Sequence, residues 1–133
     1  MKHLLKTITL SLVLFSGSAC TQESKSFQAR DEVVGIVGSE TVTYTRYNTE
    51  EQPCITLRLE NANVSKTLCD FTDQLGNTVD VRKDVAAVDY LSPTFAAQGL
   101  EVTLDLISYY LDCRIPLTKS TIGEPVCTFK DMD

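Results

Sequence analysis

The sequence predicts an all-β protein, a small antiparallel β-sandwich or barrel stabilised by two disulfides. Three observations carry this expectation. Seven or eight short runs rich in Val, Ile, Thr, Tyr and Phe are separated by turn-forming clusters about every eight to twelve residues. Outside residues 1–19, no segment longer than about ten residues repeats its apolar positions at the helical period. Four cysteines, Cys54, Cys69, Cys113 and Cys127, fall at spacings that suit cross-links between paired strands.

Residues 33–37 are largely β-branched and end at the turn Gly38-Ser39-Glu40. Residues 41–47 alternate Val42 and Tyr44 with Thr41, Thr43 and Thr45, the two-residue period of a half-buried strand. Residues 48–53 are a polar loop. Segments 54–60 and 64–71 suit a hairpin with Cys54 opposite Cys69. That register sets Ile55 against Leu68, Leu59 against Val64 and Thr56 against Thr67, and centres the turn on Asn61-Ala62. Leu57 against Lys66 is its one poor match. Gly76-Asn77 is a tight-turn dipeptide leading into residues 78–82, where Val79 and Val81 share a face. Residues 85–91 read as strand rather than short helix, and 92–99 as a loop with room for one helical turn at 94–98. Residues 101–115 form the longest ordered stretch, and their apolar face changes phase midway. Val102, Leu104 and Leu106 are even, whereas Ile107, Tyr109, Leu111, Cys113 and Ile115 are odd. A bulge or bend near Ile107-Ser108, or a strand crossing between two sheets, would reconcile the halves. Residues 125–130 close the fold.

The N-terminal segment has a different character. Met1 to Lys6 is short and basic, 7–15 is an apolar run too short to cross a bilayer, and Ser16-Gly17-Ser18-Ala19 is small throughout. Cys20 follows at once. This arrangement resembles the lipobox of bacterial lipoproteins, with Gly17 standing where Leu is commonest. The resemblance implies that residues 1–19 are a removable signal, that Cys20 carries lipid, and that 20–32 tether a single β-domain, 33–133, to a membrane. Thr21, not Asp, follows the cysteine, which implies an outer-membrane anchor facing the periplasm. Phe27 is the one large apolar residue of the tether and is expected to dock on the domain.

Outside the cytoplasm an even number of cysteines reads as disulfides, with three possible connectivities. The spacings favour Cys54 with Cys69 and Cys113 with Cys127. The second pairing sets Leu111 against Phe129 and Ile115 against Pro125, around a loop centred on Ser120. Each bridge closes a loop near fifteen residues, worth about 3 kcal/mol in the chain-entropy model. The close Cys-x-x-Cys pairs of zinc sites are missing, so no metal or other cofactor is expected.

Charge and composition narrow the function classes. Lys2 and Lys6 leave with the signal, so ten of twelve basic residues face eighteen acidic ones, a net charge of −8. Nucleic acid would require a basic surface, so it is not an expected partner, whereas a basic protein is. The single histidine, His3, lies in the signal, which removes imidazole-based catalysis from the mature chain. Asp70, Asp73, Asp80, Asp84 and Asp89 are the candidates for carboxylate chemistry or calcium, but they lack a calcium-loop spacing and fall where turns expect Asp. The chain is therefore not expected to be an enzyme.

The best binding candidate is the loop 114–126, closed by two cysteines and stiffened by Pro116 and Pro125. Leu117, Lys119, Ser120 and Ile122 in this loop, with Tyr110 on the outer face of its strand, are the expected partner-binding residues. In outline the chain resembles small lipoprotein inhibitors of cell-wall enzymes, and the resemblance is confined to the lipobox and general plan. It implies a protein that binds and inhibits another, as an immunity protein or a lysozyme or cell-wall-hydrolase inhibitor does. The alternative is a pilotin-like accessory or assembly lipoprotein of an envelope or secretion machine.

Overall fold

The computed structural model describes residues 27–131. The expected signal, Cys20 and most of the tether lie outside the described residues. Among those described there is no helix. The first sheet has the order β1 (Ala29–Val37), β2 (Glu40–Tyr47), β3 (Ile55–Leu59) and β4 (Val64–Leu68). The second contains β5 (Asp70–Thr72), β6 (Thr78–Asp80), β7 (Asp89–Ala96), β8 (Gly99–Asp105), β9 (Tyr109–Pro116) and β10 (Val126–Asp131), in the order β6-β5-β10-β9-β8-β7. The two form a β-sandwich rather than a closed barrel. All ladders are antiparallel except the short β5–β10 pairing.

Alternation puts Val42, Tyr44, Ile55, Leu57 and Leu59 of the first sheet inside, against Phe71, Leu100, Leu104, Leu111 and Ile115 of the second. Each large apolar side chain so buried contributes roughly 1.5–3 kcal/mol. Both expected disulfides form, Cys54–Cys69 and Cys113–Cys127. Cys69 stands between β4 and β5, where the chain passes from one sheet to the other.

The β3–β4 hairpin has the register read from its cysteines, including Leu57 opposite Lys66. That mismatch has a reason. β4 is an edge strand, and Lys66 forms an ion pair with Glu124 in the β9–β10 connection. A charge on the inner row of an edge strand deters pairing with another sheet.

Residues 101–115 are not one strand. β8 and β9 are the arms of a hairpin turning through Leu106-Ile107-Ser108, with Leu104 opposite Leu111 and Val102 opposite Cys113. Partner numbers in this ladder add to an odd total, so even positions on one arm share a face with odd positions on the other. The phase change is the signature of the hairpin. Ile107 takes the turn at φ 76°, a costly conformation for a β-branched residue, and no Gly or Asn advertised it. The expected loop at 92–99 is instead mostly strand. β7 runs to Ala96, with a bulge between Leu91 and Thr94 where Ser92 has φ 52°. Pro93 is tolerated there because β7 is an edge strand. Residues 85–88 precede β7 as irregular chain. At the other boundary, β1 begins at Ala29, so the last residues assigned to the tether are already paired. Phe27 packs edge-on against Tyr47, with ring centroids 6.2 Å apart.

Two buried tyrosines behave oppositely. The Tyr90 hydroxyl donates to the Pro53 carbonyl oxygen at 2.5 Å. The Tyr44 hydroxyl is buried with no partner among the described residues. Burial pushes both phenols above their usual range. Tyr90→Phe is expected to cost about 1 kcal/mol, while Tyr44→Phe, which removes an unsatisfied group, is expected to be neutral or stabilising by up to about 1 kcal/mol. Urea unfolding of the two variants reads the difference in sign. Equal losses would reject this account.

Candidate functional site

The sandwich has two distinct ends. At one, the chain enters β1, and Arg46 of β2 bridges the two sheets. Its guanidinium donates to Asp31 of β1, and to Asp89 and the Tyr90 carbonyl of β7. Gly35 of β1 admits the Phe95 ring of β7 along the same seam, since a Cβ there would stand 2.2 Å from it. At the opposite end lie the β1–β2 turn at Gly38-Ser39, the β7–β8 turn and the β9–β10 loop. Val37, Glu40, Ala97, Leu117 and Lys119 line an open pocket of about 210 Å³ between them. β1 has nine residues, so the two ends are roughly 30 Å apart.

The sequence-predicted loop divides into stem and tip. Leu117 and Ile122 pair as an isolated bridge and are buried, at 6% and 8% exposure. They therefore belong to the core, and the expectation of an open apolar contact at these positions is corrected. Apolar side chains flanking a turn find the sandwich interior nearer than any partner. The tip, residues 118–121, is exposed throughout. It is cross-linked by its own groups: Thr118 N donates to Thr121 O at 3.0 Å, Thr121 N to Thr118 Oγ1 at 3.0 Å, and the two threonine hydroxyls bond each other. Below it, Leu117 N donates to Gln98 O at 3.0 Å and Gly123 N to Pro116 O at 2.7 Å. Lys119 and Ser120 thus project from a braced turn. Glu40 supports the same end from within. It is 3% exposed, and its Oε1 accepts Asn61 N at 2.8 Å and Ala62 N at 3.2 Å. Tyr110 is half-buried near the other end, opposite Asp105 and Lys130, and does not join the tip.

The aspartates are dispersed. Asp73 Oδ1 accepts Leu75 N and Asn77 N within the β5–β6 turn, Asp84 Oδ2 accepts Asp80 N, and Asp89 serves Arg46. Asp70 lies opposite Asp80 across β5–β6. Asp80 accepts from the Arg82 side chain at 2.8–2.9 Å. That bond, with a second from Arg82 N, lowers its pKa to about 2. A depressed carboxylate contributes stability that is present above its unfolded pKa, near 3.9, and is lost as pH falls toward the folded value. Unfolding free energy is therefore expected to fall between about pH 4 and pH 2, and Arg82→Gln to flatten that segment of the curve. An unchanged acid limb in Arg82→Gln would rule this out.

Sequence reading missed a groove of about 490 Å³ on the outer face of the second sheet. Its floor is two cross-strand rows, Thr103–Asp112–Thr128 and Glu101–Arg114–Val126. Its wall is the β7 bulge, which turns Ser92 and Thr94 over the face. Asp112 accepts from Thr103 Oγ1 at 2.8 Å and from Lys130 Nζ at 2.6 Å, and the lysine contact foremost holds its carboxyl below the usual range. The signal in the sequence is the alternation along β8 and β9, which marks their outer rows only once the hairpin between them is known.

No protein-family model, curated protein or solved structure matches this chain.

Proposed function

We propose that the chain is a lipoprotein, anchored through Cys20 to the outer membrane and facing the periplasm, that binds and inhibits another protein. The partner class is a basic cell-wall-active enzyme. The observation that supports this most is the braced tip 118–121 at the end of the sandwich opposite the entry of the chain. An anchor before β1 would hold that tip roughly 30 Å away from its point of attachment. Pre-formed geometry lowers the entropy lost on binding. A net charge of −8 after signal removal favours encounter with a basic protein. Lys119 then offers a local cation suited to the paired carboxylates of a glycan-cleaving cleft. The protein is not itself an enzyme on this reading, and it needs no cofactor. The pilotin-like alternative ranks second. Accessories of that kind often add a strand to an open sheet edge, and Lys66 with Glu124 obstructs the edge of β4.

The mature protein, immobilised, is expected to capture a basic wall-active enzyme in stoichiometric amount and to inhibit it. Lys119→Glu is expected to weaken inhibition by about 10- to 100-fold without lowering the melting temperature. Undiminished inhibition by that variant, or capture of a secretin or scaffold subunit alone, would overturn the proposal.

A further inference from the structure

We infer that the groove on the outer face of the second sheet binds a zwitterionic short peptide, with Arg114 taking its carboxylate and Glu101 its ammonium group. Glu101 and Arg114 are direct cross-strand partners on β8 and β9, and both are exposed. Facing residues of opposite charge ordinarily pair. These two form no ion pair with each other, or with any other group, among the described residues. The neighbouring charges are already engaged, because Asp112 is held by Lys130 and Thr103. The groove therefore presents one unspent cation beside one unspent anion.

That pair sets the class of ligand. A purely anionic molecule meets Glu101, a purely cationic one meets Arg114, and a dipolar one satisfies both. A guanidinium matches a carboxylate through two parallel N–H donors. Ser92, Thr94 and Thr128 line the groove; hydroxyls suit a peptide's amide groups, that of Thr94 as an acceptor because it already donates to Ser92 O at 3.1 Å. Val126, 58% exposed, offers the apolar contact for a small side chain. The volume, about 490 Å³, lies in the range of small-ligand sites. The wall adds an independent indication. Ser92 holds φ 52° in the β7 bulge, and strained non-glycine backbone and bulges both concentrate beside binding sites.

The test is NMR titration of the isotope-labelled full mature chain with dialanine, N-acetyl-dialanine and dialanine amide. Dialanine is expected to shift the amides of Glu101, Arg114 and Thr128 saturably, and each capped form to bind at least about tenfold more weakly. Arg114→Gln should weaken dialanine binding about as much as amidation does and remove the further effect of amidation. Glu101→Gln should do the same for acetylation. Both side chains are exposed, so these variants retain the wild-type spectrum elsewhere. The inference fails if no saturable shift occurs up to about 10 mM dialanine, if capped and free peptides bind alike, or if Arg114→Gln binds normally. Lys119→Glu is expected to leave the titration unchanged, so failure here leaves the inhibitor proposal standing.

Discussion

Replacing Cys54 and Cys69 together by alanine is expected to destabilise the protein by about 3 kcal/mol, within the 2–5 kcal/mol typical of small exported domains. The bridge spans a separation of 15 residues, and its loss returns that loop-closure entropy to the unfolded chain. Its position adds to the effect. Cys54 directly precedes β3 and is 1% exposed, while Cys69 marks the passage between the sheets. Without the link, the open end of the β3–β4 hairpin frays where β5 must be delivered to the second sheet. Removal of Cys113–Cys127 is expected to cost less, because that pair has ladder partners on both sides, Arg114–Val126 and Asp112–Thr128, whereas Cys54–Cys69 lies beyond the last pair of its own ladder, Ile55–Leu68. Urea unfolding of both alanine pairs under oxidising conditions measures the order. A loss below about 1 kcal/mol for Cys54 and Cys69 would contradict it.

Gly99→Ala is expected to be the most damaging single substitution at a glycine, at about 3 kcal/mol, the upper end of overpacking costs. A Cβ at Gly99 would stand 2.2 Å from the Ile115 carbonyl oxygen and 3.2 Å from Pro116 Cα. Those are backbone atoms of the partner strand, so relief requires β8 and β9 to separate where Gly99 pairs with Pro116. Two other glycines calibrate the effect. Gly38→Ala meets no atom within 4 Å and bears the conformational cost of φ 63°, about 1 kcal/mol. Gly35→Ala meets the Phe95 ring, which is a side chain, so Phe95→Ala should recover part of its loss. Denaturation midpoints of the three single variants and the double variant test the ranking. If Gly99→Ala were no worse than Gly38→Ala, β8 and β9 would separate there at little cost and the ranking would fail.

Legibility followed the range of the interactions. The β3–β4 register was readable because two cysteines and three apolar or threonine pairs all demanded one alignment. The β8–β9 hairpin was not, because Ile107 occupies a conformation that Gly or Asn normally announces. Its bulged neighbour β7 read as a loop because Ser92 and Pro93 interrupt the alternation. For the binding surfaces the same contrast holds. Lys119 and Ser120 were found from loop chemistry and are exposed, whereas Leu117 and Ile122 were apolar enough to be drawn into the core. Glu101 and Arg114 went unremarked because their pairing depends on a turn that local sequence does not mark.

The amino-acid order by itself determined that this chain would be all-β, that its four later cysteines would join in sequence, and which face of β2, β3 and β4 would be buried. Each of these follows from the two-residue period and from neighbours close along the chain. Tertiary structure alone decided which strands became edges, why Lys66 points inward to Glu124, and how Arg46 joins β1 to β7. It also decided that Glu101 and Arg114, neither in an ion pair among the described residues, would face each other on the outer sheet face. These outcomes depend on residues far apart in the chain being carried together by the packing of two sheets. No local pattern encodes such a meeting, because burial and charge pairing are settled only when the whole sandwich closes.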